Sequence, residues 1–379
     1  MWVAFRDHLE VLWGALVALV IVVALTPAVG GLARLLGVVD KPGGRRINRR
    51  PIPRLGGLAI FLGFLVPSLV FLDLTRPMRG ILLGAAVATL VGAIDDFRAL
   101  PWLPKLAGQV AAAAIPTAFG VWVDHFTLPL VGVHTLSSWV GIPLTVIWIL
   151  AIMNMVNFLD GLDGLAAGVC GIAGGTFSVV ALSLGKVGPA VISAIICGAC
   201  IGFLRHNFYP ARIFMGDSGA MLLGFVLAAV SVQGLVKTAA TVALAFPLLV
   251  LAVPILDTSF VVLKRLKHGQ PIYAADRSHF HHRFLNIGFS QRRAALTIWA
   301  WVAVLAAAAL ATRFIPFREQ GRWHTGPTIA VGLIGLAALA ASVYMVYLLE
   351  IVKFANPYIK RRLADERRRE EAGETRRSA

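Results

Sequence analysis

Charge is scarce in this sequence. Only 14% of its 379 residues are Asp, Glu, Lys or Arg, 58% are hydrophobic, and mean hydropathy is +0.79. A soluble domain carries about 25% charged residues. This chain therefore lacks the charge to cover a water-facing surface, and lipid is its expected solvent. Acidic residues are the scarcer sign, 19 against 35 Lys and Arg, for a net charge of +16. In a soluble protein that excess would point to nucleic acid. Here the basic residues sit in loops between apolar runs, so membrane topology and phosphate binding are the better readings, and nucleic acid is not an expected partner. Cysteine is rare too. Cys170, Cys197 and Cys200 all lie inside apolar stretches, a pattern that offers neither a disulfide framework nor a zinc site. The N-terminus lacks a positive leader: Arg6, Asp7, His8 and Glu10 are mixed in sign, and the apolar run after them is too long for a signal peptide. It is expected to be an uncleaved first span.

What the chain has in abundance is long apolar runs, near 11–36, 55–72, 78–94, 105–123, 139–157, 165–184, 188–204, 216–235, 239–262, 294–312 and 327–349. They predict an all-α integral membrane protein of about eleven transmembrane helices. One polytopic domain is expected over 1–356, followed by a charged tail over 357–379 that meets anionic lipid headgroups. Gly63, Gly92, Gly174, Gly198 and Gly202 suit close helix packing. Alternate loops hold 26 of the 35 Lys and Arg residues. The positive-inside rule places those loops in the cytoplasm, with the N-terminus outside and the C-terminus inside.

A charge within a bilayer costs roughly 3 kcal/mol, so the carboxylates at span ends need a reason. Asp95 and Asp96 end the third run. Asn154, Asn157, Asp160 and Asp163 recur every three residues at the end of the fifth, which puts them near one helix face. Asp217 opens the eighth, where a helix N-terminus favours an anion. The topology, which rests on Lys and Arg alone, puts all of them on the cytoplasmic side. Aspartates as helix caps or loop ion pairs are the plain alternative for each one singly. Five together suit a hard cation such as Mg²⁺, which takes oxygen ligands and leaves room for phosphate. The basic loop 37–54, with Lys41 and Arg46 in a Pro/Gly frame, and the loop 263–293, with Ser278-His279-Phe280-His281-His282-Arg283, suit phosphate contacts. Zinc is a weaker reading of the histidines, because no cysteine or carboxylate stands beside them.

Five motifs in order carry a resemblance: Asp40-Lys41-Pro42 with the Arg/Pro/Gly loop, Asp95-Asp96, Asn157-Phe158-Leu159-Asp160-Gly161-Leu162-Asp163-Gly164, Gly216-Asp217-Ser218-Gly219, and His279-Phe280-His281-His282-Arg283. Together, over about Asp40 to Arg283, the chain resembles the polyprenyl-phosphate N-acetylhexosamine-1-phosphate transferases, the superfamily with MraY, WecA and TagO branches. Phe280 interrupts the histidine run, which is similar to the WecA/TagO branch. Phe97-Arg98-Ala99 lacks the acidic or Asn residue that some members place after the paired aspartates, so no role carries over to positions 98 and 99.

The resemblance implies Mg²⁺-dependent transfer of a sugar phosphate from a UDP-N-acetylhexosamine, by default UDP-N-acetylglucosamine, to undecaprenyl or another polyprenyl phosphate. UMP would be released at the cytoplasmic face of the plasma membrane, in the first membrane step of a cell-envelope polysaccharide. Mn²⁺ could substitute for Mg²⁺, and a homodimer is suggested. On this reading Asp217 is the main metal ligand and Asp96 a second, while Asp95 orients or deprotonates the lipid phosphate. Asn157, Asp160 and Asp163 hold the nucleotide. Lys41, Arg46, Lys105, His279, His281, His282 and Arg283 grip phosphates and sugar. Transfer of a muramoyl-pentapeptide phosphate, an ion-coupled transporter, and an intramembrane aspartyl protease suggested by Gly216-Asp217 are the competing expectations.

Overall fold

Apolar runs form helices in lipid because every backbone N–H and C=O must find a partner within its own segment. The computed structural model describes residues 7–40, 51–128, 132–236, 245–269, 279–316, 318–319 and 322–349. Lys41, Arg46 and the tail over 357–379 lie outside them. In chain order the helices are α1 (Leu9–Leu35), α2 (Gly56–Phe71), α3 (Arg76–Phe97), α4 (Trp102–Ala118), α5 (Ser138–Leu159), α6 (Leu165–Ser183), α7 (Val187–Asn207), α8 (Gly216–Val230), α9 (Ala245–Val250), α10 (Ala252–Lys267), α11 (Phe280–Asn286), α12 (Gln291–Phe314) and α13 (Thr325–Leu348). A π-helical turn, Ser231–Val236, extends α8. Three two-stranded antiparallel hairpins complete the described residues.

Among the described residues, eight helices are long and apolar enough to cross a membrane. They are α1, α3, α5, α6, α7, α8 with its extension, α12 and α13. The remaining expected runs appear as shorter helices. Two of these, α2 and α4, have 16 and 17 residues. The ninth run breaks at Leu251 into α9 and α10. Pro254 explains the break, since it has no N–H to continue the ladder and is tolerated only in a first turn.

Position within the bundle follows from which faces are apolar and small. On α8 nearly every residue from Gly216 to Val230 is buried, and it packs against α2, α3, α5, α6 and α7. It is the central rod. By contrast α13 buries only Ala338 and turns Leu333, Leu336, Leu339 and Val343 outward, as a lipid-facing helix does. A single stripe of α1, including Gly14, Ala18, Val22 and Thr26, faces inward. There a side chain at Gly198 of α7 would overlap the Ala15 carbonyl, so the two backbones pack as small-residue membrane interfaces do.

The first hairpin positions the site. Strand β1 (Val39–Asp40) pairs with β2 (Ile52–Pro53). The chain after β2 then binds the segment before α8: Phe214 N–H donates to Pro53 O at 2.8 Å, and Gly57 N–H donates to Met215 O at 2.8 Å. Two loops distant in sequence are thus tied at one end of the central rod.

Candidate active site

The chemistry collects where α3 ends and α8 begins. Asp95 and Asp96 are neighbours on α3, so their side chains diverge. Asp96 turns to α8. Its Oδ1 accepts from Asp217 N–H at 2.9 Å, and its Oδ2 accepts from Ser218 N–H at 3.1 Å and Ser218 Oγ at 2.8 Å. This is an N-terminal cap supplied by another helix, and it satisfies amides that α8 cannot bond itself. Gly216 makes it possible. Its φ is +70°, and any side chain there would overlap Asp96 and the Arg54 carbonyl. Arg54 Nη2 adds a charge 3.5 Å from Asp96 Oδ1, and its Nη1 lies 3.8 Å from Asp40. Asp96, expected as a second metal ligand beside Asp217, thus also holds the first turn of α8.

Asp95 turns the other way, to the first turns of α4. It accepts from Leu100 N–H at 2.6 Å and from Lys105 Nζ at 2.9 Å. Lys105 also donates to Asp217, and the Asn157 amide hydrogen-bonds the same carboxylate. Lys105 was expected to grip substrate phosphate; it lies between two carboxylates.

The loop after α5 closes over this cluster. Burial, reinforced by the Asp217 and Asp96 carboxylates, pushes Asp160 well above the usual carboxylate range, so that position favours a proton or a cation. Asp163 is raised by burial as well, and its Oδ2 accepts from Ala211 N–H at 2.9 Å. Asn207 fastens the same loop, accepting from Gly164 N–H at 3.0 Å and donating to Ile213 O at 2.9 Å. The oxygen donors of Asp217, Asp160 and Asn157 could hold a hard cation. Among the described residues no three His, Cys, Asp or Glu side chains close into a metal cage. A donor set of this kind suits a cation that completes its shell with water and phosphate, as Mg²⁺ does.

The histidines stand on the other side of that loop, on the seven-residue α11. Phe158 packs on the His279 ring at 5.5 Å, and a side chain at Gly161 would overlap His281 Nε2. His279 and His281 stack 5.9 Å apart at 5°, and His282 lies 4.3 Å from His281. His281 is buried. Its Nδ1 has no hydrogen-bond partner among the described residues. Burial first, then the neighbouring His282 and His279, holds its pKa well below the usual 6.5. Arg283, expected on phosphate, donates to Leu349 O at 2.7 Å and lies 4.5 Å over the Phe260 ring.

Sequence reasoning passed over Arg54, Ser218, Asn207 and Asp257. The last, on α10, accepts from Phe280 N–H at 2.7 Å and pairs with His279 Nδ1 at 3.1 Å. Its signal was available, since it is the sole acidic residue in the run 239–262.

The chain is similar to known proteins. The model of glycosyl transferase family 4 matches residues 78–235. A probable undecaprenyl-phosphate N-acetylglucosaminyl 1-phosphate transferase of Bacillus subtilis is 36% identical, covering 75% of this chain and 80% of its own. A decaprenyl-phosphate N-acetylglucosaminephosphotransferase of Mycobacterium leprae is 38% identical over 84% and 87%. A phospho-N-acetylmuramoyl-pentapeptide-transferase of Desulforudis audaxviator is 32% identical over 70% and 86%.

Proposed function

The chain belongs to glycosyl transferase family 4, the superfamily of polyprenyl-phosphate N-acetylhexosamine-1-phosphate transferases, and we propose that it transfers N-acetylglucosamine 1-phosphate from UDP-N-acetylglucosamine to a polyprenyl phosphate. The observation that carries this reading is the meeting of Asp217, Lys105 and the Asp160 loop with the His281 platform at Gly161. The names of the relatives at 36% and 38% identity support the sugar and the lipid acceptor.

The lipid phosphate oxygen attacks the sugar-bearing phosphorus, the bond to UMP breaks, and UMP leaves with the electron pair. Such transfer needs positioning and charge neutralisation above all. Asp217 and Asp160, with the Asn157 amide, would hold Mg²⁺, which would supply neutralisation of phosphate charge. Asp96 acts behind Asp217, fixing the first turn of α8 that carries it. Lys105 holds Asp95 and Asp217 at a common point and offers its ammonium to phosphate. Asp95 orients the acceptor or takes its proton. His279, His281 and His282 present ring nitrogens from the far wall, among them the Nδ1 of His281, which has no partner among the described residues.

The acceptor cannot leave the bilayer, since each buried CH₂ is worth roughly 0.8 kcal/mol, so the site belongs at an interface. On this reading the chain crosses eleven times, with the N-terminus outside and the C-terminus in the cytoplasm, and the site would open on the cytoplasmic face of the plasma membrane. The distribution of Lys and Arg supports that orientation.

The test is UMP release by purified protein in detergent from UDP-N-acetylglucosamine, with and without undecaprenyl phosphate and Mg²⁺. Release that needs all three supports the proposal. Release only from a UDP-muramoyl-pentapeptide would move the chain to the other branch. No release from any UDP-sugar would refute the reaction.

A further inference from the structure

We propose that Asp257 is a positioning residue for the transfer, setting the tautomer and the orientation of His279 and, through the first turn of α11, the seat of His281. The inference rests on the reading above. Asp257 is 1% exposed and stands alone as an acid in an apolar run. A carboxylate so placed is costly unless its oxygens are satisfied. Its two oxygens are split between two groups of one motif, Oδ1 accepting from Phe280 N–H at 2.7 Å and Oδ2 meeting His279 Nδ1 at 3.1 Å. The first contact caps α11, whose N-cap, His279, makes no side-chain cap of its own. The second decides the ring. An ionised carboxylate can only accept, so the Nδ1 proton is fixed on the Asp257 side and Nε2 is turned away from it.

That choice spreads along the wall of the site. The His279 ring lies against Phe158, two residues before Asp160, and stacks nearly parallel on His281, itself seated at Gly161. Rotating His279 would move both contacts that join the histidine wall to the aspartate loop. Through one buried side chain, α10 thus reaches the aspartate loop by way of His279.

The test is a double-mutant cycle on UMP release with Asp257→Asn, His279→Gln and both together. Asn keeps an oxygen for Phe280 N–H but presents an NH₂ group to Nδ1, which demands the other tautomer. Asp257→Asn is expected to keep the thermal midpoint within about 4 °C of native. It should lower kcat roughly 10–100-fold, with KM for the UDP-sugar changed less than about threefold. The double variant should be no more than about twofold slower than His279→Gln, because the first change acts through the second residue. Losses that multiply, or an Asp257→Asn kcat above half of native, would overturn the inference. If the Asn variant does not fold, Asp257→Glu decides: it keeps both acceptors, and a kcat no better than that of His279→Gln overturns the proposal. A native protein that releases no UMP refutes the transferase reading itself, whereas an active native protein unaffected at Asp257 refutes only this inference.

Discussion

The two walls of the site are built in opposite ways. The carboxylate wall comes from the ends of long helices and is saturated with internal partners: Asp96 takes three donors from α8, and Lys105 joins Asp95 to Asp217. The histidine wall rides on the seven-residue α11, fastened through Asp257, and leaves His281 Nδ1 without a partner among the described residues. Internal saturation makes the first wall rigid and able to concentrate charge. The loop 158–164 joins them, so damage to each wall should show a distinct signature.

The largest effect is expected from the charged wall. Asp217→Asn should lower UMP release about 10²–10³-fold, the scale of removing one electrostatic contact in a transition state, with the thermal midpoint nearly unchanged. Loss of folding instead would make Asp217 a structural residue. At the junction, Gly161→Ala puts a methyl group into His281 Nε2. Displacement near 1 Å can cost about 100-fold, so kcat/KM should fall about 10–100-fold, measured by initial rates against UDP-sugar concentration. Near-native rates would separate the two walls.

Asp96→Ala should act mainly on stability. It leaves two backbone amides and a hydroxyl without their acceptor, at about 1–3 kcal/mol, read as a lower midpoint in detergent. The histidine wall should respond to acid. The folded chain holds His281 neutral, with a pKa well below 6.5, whereas the unfolded chain takes up a proton near that value. Stability is therefore fully present above about pH 6.5 and falls below it by at most about 1.4 kcal/mol per pH unit. His281→Phe should flatten midpoint against pH between 7.5 and 5.5, and an unchanged slope would assign the acid response elsewhere. The smallest effect lies at the periphery, where Ser342→Ala removes a 2.9 Å bond from Trp301 Nε1. About 1 kcal/mol of stability should be lost, with turnover unchanged.

Much of this was legible beforehand, because the cost of charge in lipid is paid residue by residue. The apolar runs became helices, and Asp95, Asp160, Asp163 and Asp217 stood out as acids at run ends. What the sequence could not say is which partner each acid takes. Adjacent Asp95 and Asp96 look alike in a string, yet only one faces Lys105, because the pair diverges by about 100° around α3. Capping across helices is a tertiary event, so nothing in the string shows that Asp96 accepts from the first turn of α8. Nor does the string show that Arg283 donates to the Leu349 carbonyl after α13. Asp257 is less conspicuous for another reason: it lies inside a run and away from the span ends where the other acids stand. The break at Pro254 brings it within reach of α11.

The most direct test of the central claim follows the phosphorus. Native and Asp217→Asn proteins, in nanodiscs containing undecaprenyl phosphate and Mg²⁺, are given UDP-N-acetylglucosamine labelled at the sugar-bearing phosphate. The account predicts label in the butanol-extracted lipid for the native protein and almost none for the variant. Label that stays in water with the native protein, or that moves equally with the variant, would contradict it.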